Sequence, residues 1–353
     1  MSFRIISYMI SDNDDDCLIT VRYVGAVFHL RWSPRDLASA PNLLQDYLSR
    51  LQELRDEDDN SNSPGLVQPF ETLMHQLAPP SKQAPFSLHD YLYPPSFQLK
   101  ATAAEDRRTI LAVHEKEEDS PFCRPGFSFY SKQIHSLDLS NWVPKWFTSH
   151  EIELSADAKE HPLLHSPSKV IAKGSRTEYF FKGLGAGYTG TIRELAALRT
   201  IDDATNCGSL APDARICRLH GLVVDTLGPN KSDKSLVGIL FNYIKPKRRG
   251  ILGTLQCVAY EEHSRRHLHR WANDLKDILR GLHKAGCIWG DAKPENVLVD
   301  CEDNVWLIDF GGGYTLGWVE EEQQCTQRGD LEAMEKIRQW LEQVGEARST
   351  GPA

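Results

Sequence analysis

Residues 3–10, 17–24 and 26–32 alternate or run apolar and β-branched, with Asn13–Asp16 and Gly25 between them. This is the pattern of a three-stranded antiparallel meander. Ser33-Pro34 opens a helical stretch whose firm part is 42–55, with Leu43, Leu44, Tyr47, Leu48, Leu51 and Leu54 in one stripe. An acidic, Ser/Asn-rich linker at 56–65, a short helix at 66–77 and a Pro-rich passage at 79–95 follow. Further strands are expected at 96–103 and 109–114.

The second half opens near Trp146. Strands are expected at 147–154, 168–172 and 177–182, then a helix from about Thr191, then strands at 215–226 and 236–243. The clearest helix is 266–285, where Leu268, Trp271, Ala272, Leu275, Ile278, Leu279 and Leu282 fall at three- and four-residue steps and Gly286 supplies the stop. Two short apolar runs, Val297–Val299 and Val305–Ile308, flank a turn at Glu302–Asn304. A last helix is expected at 330–344, with Asp330 as its N-cap.

A chain of 353 residues has room for two domains, and 41% apolar residues can fill real cores. The net charge of −9 argues against nucleic acid or an anionic membrane surface as the main partner. Eight scattered cysteines without a CxxC pair fit reduced thiols of an intracellular protein, cytoplasmic or nuclear, better than a disulfide framework or a zinc site. The apolar run Ile5–Ile10 is followed at once by Asp12, Asp14, Asp15 and Asp16, so it does not read as a secretory signal. That acidic run lacks the glycine and distal glutamate of a calcium loop and is expected to be a solvated turn. No stretch approaches the ~20 apolar residues of a membrane helix.

Candidate chemistry concentrates in Gly286–Val319. Asp291-Ala292-Lys293-Pro294-Glu295-Asn296 precedes the first short apolar run, and Asp309-Phe310-Gly311 ends the second. A carboxylate at Asp309 and an amide oxygen at Asn296 can supply two oxygen ligands to Mg²⁺, which keeps several waters. Asp291 lies across the loop where an incoming hydroxyl would sit, and Lys293 can reach a transferred phosphate. Pro294 stiffens the turn. A plain hairpin with an acidic turn explains one aspartate but not both polar clusters.

The two motifs resemble the catalytic loop and the DFG motif of the protein-kinase-like superfamily. The pattern is similar to that of small fungal kinase-like proteins with GDxKPxNVLVD and LIDFGGGYTxGWV. The resemblance covers roughly 146–345 and implies an α+β, bilobal protein-kinase-like fold. A β-rich small lobe at about 146–244 and a minimal α-rich large lobe at about 245–345 would follow an N-terminal α+β extension, 1–140, of unassigned role. It further implies ATP and Mg²⁺ as cofactors, Asp291 and Lys293 as catalytic groups, and Asn296 and Asp309 as metal ligands. Lys182 stands where the family's third strand carries a phosphate-binding lysine, and Glu194 is its implied partner. Phe241 and Tyr243 fall in the implied adenine hinge. Asp330 stands where the family holds the catalytic-loop backbone from a helix start. The implied activity is transfer of the γ-phosphate of ATP to a protein or small-molecule hydroxyl. The alternative is a nucleotide-binding pseudokinase acting as a scaffold.

The sequence departs from the family in four ways. No glycine lies between Ser155 and Pro167, where a phosphate-covering glycine loop belongs. Only twelve residues separate Lys182 from Glu194. Gly290 replaces the arginine that senses a phosphorylated activation loop, and only 20 residues lie between Asp309 and Asp330, so no switch of that kind is expected. Only 23 residues follow Asp330, so the helices that complete a large lobe are expected to be absent. A literal GxGxxG at Gly185–Gly190 invites a dinucleotide-binding reading. The acidic residues at the required offset, Asp202 and Asp203, follow a helical rather than a strand pattern, so a flexible connection is the better expectation.

Overall fold

The computed structural model describes residues 3–56, 64–78, 84–115, 132–133, 139, 142, 145–155, 161–184, 188–226, 234–313 and 315–347. The chain divides into two compact units, Met1–Phe129 with Ser149–Thr177, and Tyr130–Thr148 with Glu178–Ala353. Residues 149–177, given to the small lobe in the sequence-based expectation, thus cluster with the N-terminal unit.

In the first unit, strands β1 (Phe3–Ile10), β2 (Cys17–Tyr23) and β3 (Ala26–Trp32) form the expected meander. Helices α1 (Pro41–Asp56) and α2 (Glu71–Leu77) follow, then β4 (Ser96–Ala103) and β5 (Ile110–Glu115). β4 pairs with β3 in parallel, so the five-stranded sheet, in order β1-β2-β3-β4-β5, is mixed. Alternation turns Ile19, Val21, Phe28 and Leu30 inward, against Tyr47, Leu51 and Leu54 from the apolar stripe of α1. Trp32 stacks on Tyr47 at 5.2 Å and meets Phe70 edge-on at 5.6 Å. A hairpin of β6 (Ile152–Leu154) and β7 (Lys169–Ala172) completes the unit. The single strand expected at 147–154 is instead broken by a 3₁₀ turn at Ser149–Glu151.

In the second unit, β8 (Glu178–Gly183) is followed by helix α3 (Tyr188–Asn206), then β9 (Leu219–Thr226) and β10 (Lys234–Asn242). β10 lies between β8 and β9, antiparallel to both, and Trp146–Phe147 adds a short parallel pairing to β9. Helix α4 (Leu268–Lys284) buries Trp271, Leu275, Leu279 and Leu282. Each fully buried leucine of that stripe contributes about 1.5–3 kcal/mol. Those residues share a core with Val297, Val299, Val305 and Leu307 of the hairpin β11 (Val297–Val299) and β12 (Val305–Leu307). Ala333, Ile337 and Leu341 of helix α5 (Gln327–Ala347) close the same core. Both units are α+β with mixed sheets and several helices. Among the described residues no helix is long and apolar enough to cross a membrane.

Candidate functional site

The hairpin β11–β12 positions the motif residues. Val297 pairs with Leu307, and the Ile308 amide donates to the Asn296 carbonyl at 3.0 Å. Asn296 and Asp309 therefore leave the same end of the ladder. At the other end the Asp300 carboxylate accepts the Glu302 and Asn304 amides at 2.9 and 2.8 Å, which fixes the turn.

Lys182 sits near the end of β8, opposite Ile239. Its Nζ donates to Glu194 Oε1 and Oε2 at 2.8 and 3.0 Å and to Asp309 Oδ1 at 2.9 Å. Glu194, on α3, is only 3% exposed, so the charged pair is held where water screens it poorly. Burial pulls the Lys182 ammonium down, but the Glu194 and Asp309 carboxylates outweigh it and leave its pKa above the ordinary lysine value. Burial lifts Glu194 above the usual carboxylate value, and Lys182 offsets only part of that. The twelve-residue interval is bridged because α3 starts at Tyr188, earlier than the expected Thr191. Gly190 belongs to that helix, while Gly185–Gly187 of the GxGxxG lie outside the described residues.

Asp309 itself adopts φ +59°, a left-handed conformation unfavourable for a side-chain-bearing residue. A Cβ on Gly311 would stand 3.3 Å from Asp309 Oδ1 and 3.4 Å from the Gly190 carbonyl. The start of α3 and the segment after Asp309 thus pass close together at a position that suits glycine.

Asp291 and Asn296 are buried, at 9% and 7% exposure. Asn296 Nδ2 donates to the Asp291 carbonyl at 2.9 Å and to Asp291 Oδ2 at 3.0 Å. Those two bonds fix the amide orientation and leave Oδ1 as the end not committed to Asp291. Lys293 Nζ lies 2.7 Å from Asp291 Oδ2. Thr315 joins this cluster: its hydroxyl donates to Asp291 Oδ1 at 3.1 Å and accepts from Lys293 Nζ at 2.8 Å. A Cβ on Gly313 would lie 3.4 Å from Asp291 Oδ2, so the glycine run passes directly over the carboxylate. Sequence reasoning did not single out Thr315. The only available signal was a hydroxyl within the GYTLGWV stretch.

The backbone entering Asp291 is held from behind. Asp330 is 2% exposed and accepts the Trp289 and Gly290 amides, both at 2.8 Å. His283 Nε2 meets the same carboxylate at 2.9 Å. The expectation of Asp330 as N-cap is corrected: α5 begins at Gln327, so Asp330 lies inside its first turn with its carboxylate committed to the loop. Trp289 Nε1 donates to the Ile308 carbonyl at 3.0 Å, tying the loop to the strand end before Asp309.

The expected residues fall into two contact groups, Lys182–Glu194–Asp309 and Asp291–Lys293–Asn296, joined through the hairpin. Phe241 belongs instead to the core, tilted against Phe180 at 6.3 Å, and Tyr243 lies just past the end of β10. Among the described residues no three His, Cys, Asp or Glu side chains gather as a metal cage. The hard oxygens of Asp309 and Asn296 are nonetheless the donor chemistry that suits Mg²⁺, which takes few protein ligands beside phosphate and water.

No family model matches the chain. A short segment does point to a kinase-like relationship. Over 43 residues, 12% of this chain, it is 46% identical to the serine/threonine-protein kinase PKH3 of Eremothecium gossypii. The matched segment spans 6% of the length of that protein.

Proposed function

We propose that the chain is an ATP- and Mg²⁺-dependent phosphotransferase that passes the γ-phosphate of ATP to a protein or small-molecule hydroxyl inside the cell. The observation that carries this reading is Lys182 Nζ held between Glu194 and Asp309. A lysine fixed in that way offers an oriented positive charge to the α- and β-phosphates. Asp309 and Asn296 would hold Mg²⁺, which when bound neutralises phosphate charge. Asp291 accepts the proton of the incoming hydroxyl, and Lys293 steadies the transferred phosphoryl group. The backbone at the end of β10, from Phe241 through Tyr243, would take the adenine edge, with the Phe241 side chain remaining in the core. In this reading residues 178–244 and 245–345 act as small and large lobes.

A second reading, a nucleotide-binding scaffold without turnover, is favoured by the absence of glycine between Ser155 and Pro167. Two measurements on the full chain separate the readings. ATP with Mg²⁺ should raise stability by about 2.7 kcal/mol at a hundred times Kd, whereas NAD should not. Labelled ATP incubated with the chain, a lysate or a metabolite extract should yield ADP and a labelled acceptor, and Asp291→Asn should abolish both. Binding without turnover selects the scaffold. Stabilisation by NAD and not by ATP rejects both.

A further inference from the structure

The net charge of −9 conceals a local reversal. Residues 245–270 hold seven Lys and Arg against two Glu, so this stretch is basic within an acidic chain. It links β10 to α4. Within it the 3₁₀ turn Gly250–Gly253 carries Ile251 and Leu252, which are 65% and 59% exposed. The turn is well fixed: Thr254 Oγ1 donates to the Ile251 carbonyl at 2.7 Å. A Cβ on Gly253 would stand 2.3 Å from the Arg248 carbonyl, so the backbone folds back tightly there. Arg248 Nε meets Glu261 Oε1 at 2.8 Å, which brings the two basic segments side by side. Beyond it Glu262, His263, Arg265 and Arg266 line one open depression. Acidic groups border this surface too: Glu261 and Glu262 within the segment, Asp303, engaged by Lys247 and His267, and Asp300 and Glu302 of the turn whose Cys301 amide donates to the Lys245 carbonyl at 3.1 Å.

We propose that this surface docks the protein onto an anionic lipid bilayer, with Ile251 and Leu252 entering the interface and the basic residues on either side meeting the headgroups. Ile251 and Leu252 are adjacent and largely exposed on a fixed turn. Together with flanking Lys and Arg they form the amphipathic surface that an acidic bilayer satisfies on both counts. An acidic peptide would use the charges but gives Ile251 and Leu252 no comparable apolar phase. The inference is independent of the phosphotransfer reading, since none of these residues belongs to that site.

Co-sedimentation of the full chain with vesicles tests it. Vesicles of phosphatidylcholine with phosphatidylserine should retain the protein, increasingly weakly as salt is raised, and vesicles of phosphatidylcholine alone should not. The double change Ile251→Ser and Leu252→Ser should lower partitioning about tenfold or more. Lys245→Ala, Arg249→Ala and Arg266→Ala should each lower it about fivefold. All five side chains lie on the surface, and unchanged urea midpoints would show that the variants fold. Equal retention on both vesicle types, or on neither, would overturn the proposal. So would binding to soluble polyglutamate as tight as to the acidic vesicles and indifferent to the Ile251/Leu252 change, which would assign the surface to an acidic peptide.

Discussion

Replacing Lys182 by methionine removes the ammonium while keeping the length of the side chain. Glu194, 3% exposed, then loses the counter-charge that holds both of its oxygens. If it stays ionised, a buried pair broken from one side costs about 3–5 kcal/mol. If it binds a proton instead, the cost near pH 7 is that of protonating a carboxyl whose ordinary value is 4.5, about 3 kcal/mol at roughly 1.4 kcal/mol per unit. The cheaper route sets the ceiling. Asp309 adds little, because its side chain is 44% exposed and pairs open to water are worth about 0–1 kcal/mol. The expected loss is therefore about 3 kcal/mol.

Its pH dependence follows from the direction of the Glu194 shift. Burial raises the folded-state pKa of Glu194 above its unfolded value, and removing Lys182 raises it further. A group shifted that way favours the folded state below its unfolded value and loses that contribution as pH rises through its folded value. The Lys182→Met defect should shrink as pH is lowered toward the carboxylate range. Adding Glu194→Gln should recover most of the loss, giving a coupling of about 2 kcal/mol. Urea unfolding of the four proteins, near pH 7 and near pH 5, measures both quantities. Costs that add within about 0.5 kcal/mol, with a defect flat in pH, would refute the claim that Glu194 depends on Lys182 for its charge.

Asp309→Asn should remove the Mg²⁺-dependent part of ATP affinity, while Asp291→Asn should leave affinity intact and stop turnover; calorimetry with and without Mg²⁺ checks both. Asp330→Ala strands the Trp289 and Gly290 amides. At about 1.5–3 kcal/mol for each bond to a charged acceptor, the two together should cost about 3–6 kcal/mol in denaturant unfolding. Gly312→Ala pays twice, once for φ +66° at about 1–2 kcal/mol and once for a Cβ only 2.6 Å from Cys325 Sγ. Cys325→Ala in the same chain, which removes Sγ while leaving the backbone strain at φ +55° unchanged, should recover the second part and not the first, as read from urea midpoints.

The parts of the fold that sequence predicted best are those whose signal is local. The stripe on α4 and the alternation in β1–β3 each report on residues a few positions apart, and both elements formed within two or three residues of expectation. The parallel pairing of β3 with β4 was not legible, because several helices lie between them and periodicity carries no partner information. Of the two roles expected of Asp330, holding the loop backbone is the one the structure shows, while the N-cap, the only role that local sequence suggested, is not. An N-cap is defined by its own helix, but this carboxylate answers to amides 40 and 41 residues away. Thr315 went unnoticed because nothing local marks a hydroxyl that meets partners 22 and 24 residues earlier. Lys182 and Asp309 were chosen on motif grounds 127 residues apart, and here they share a hydrogen bond.

Gly290 carries more information than the missing arginine suggests. It adopts φ +89°, a conformation that side-chain-bearing residues rarely take. A Cβ there would stand in contact with Gly312 Cα at 3.4 Å and Cys325 Cα at 3.6 Å, so the obstacle to a side chain is the backbone conformation rather than the space. The same residue gives its amide to Asp330, while Thr315 closes on Asp291 from the opposite side. The loop that presents Asp291 is thus fixed by a buried carboxylate behind and a hydroxyl in front, both supplied by the chain itself. A residue with a side chain at this position would have to adopt φ +89°, which L-residues rarely do. The turn that delivers the Gly290 amide to Asp330 is thus one in which glycine is the favoured residue.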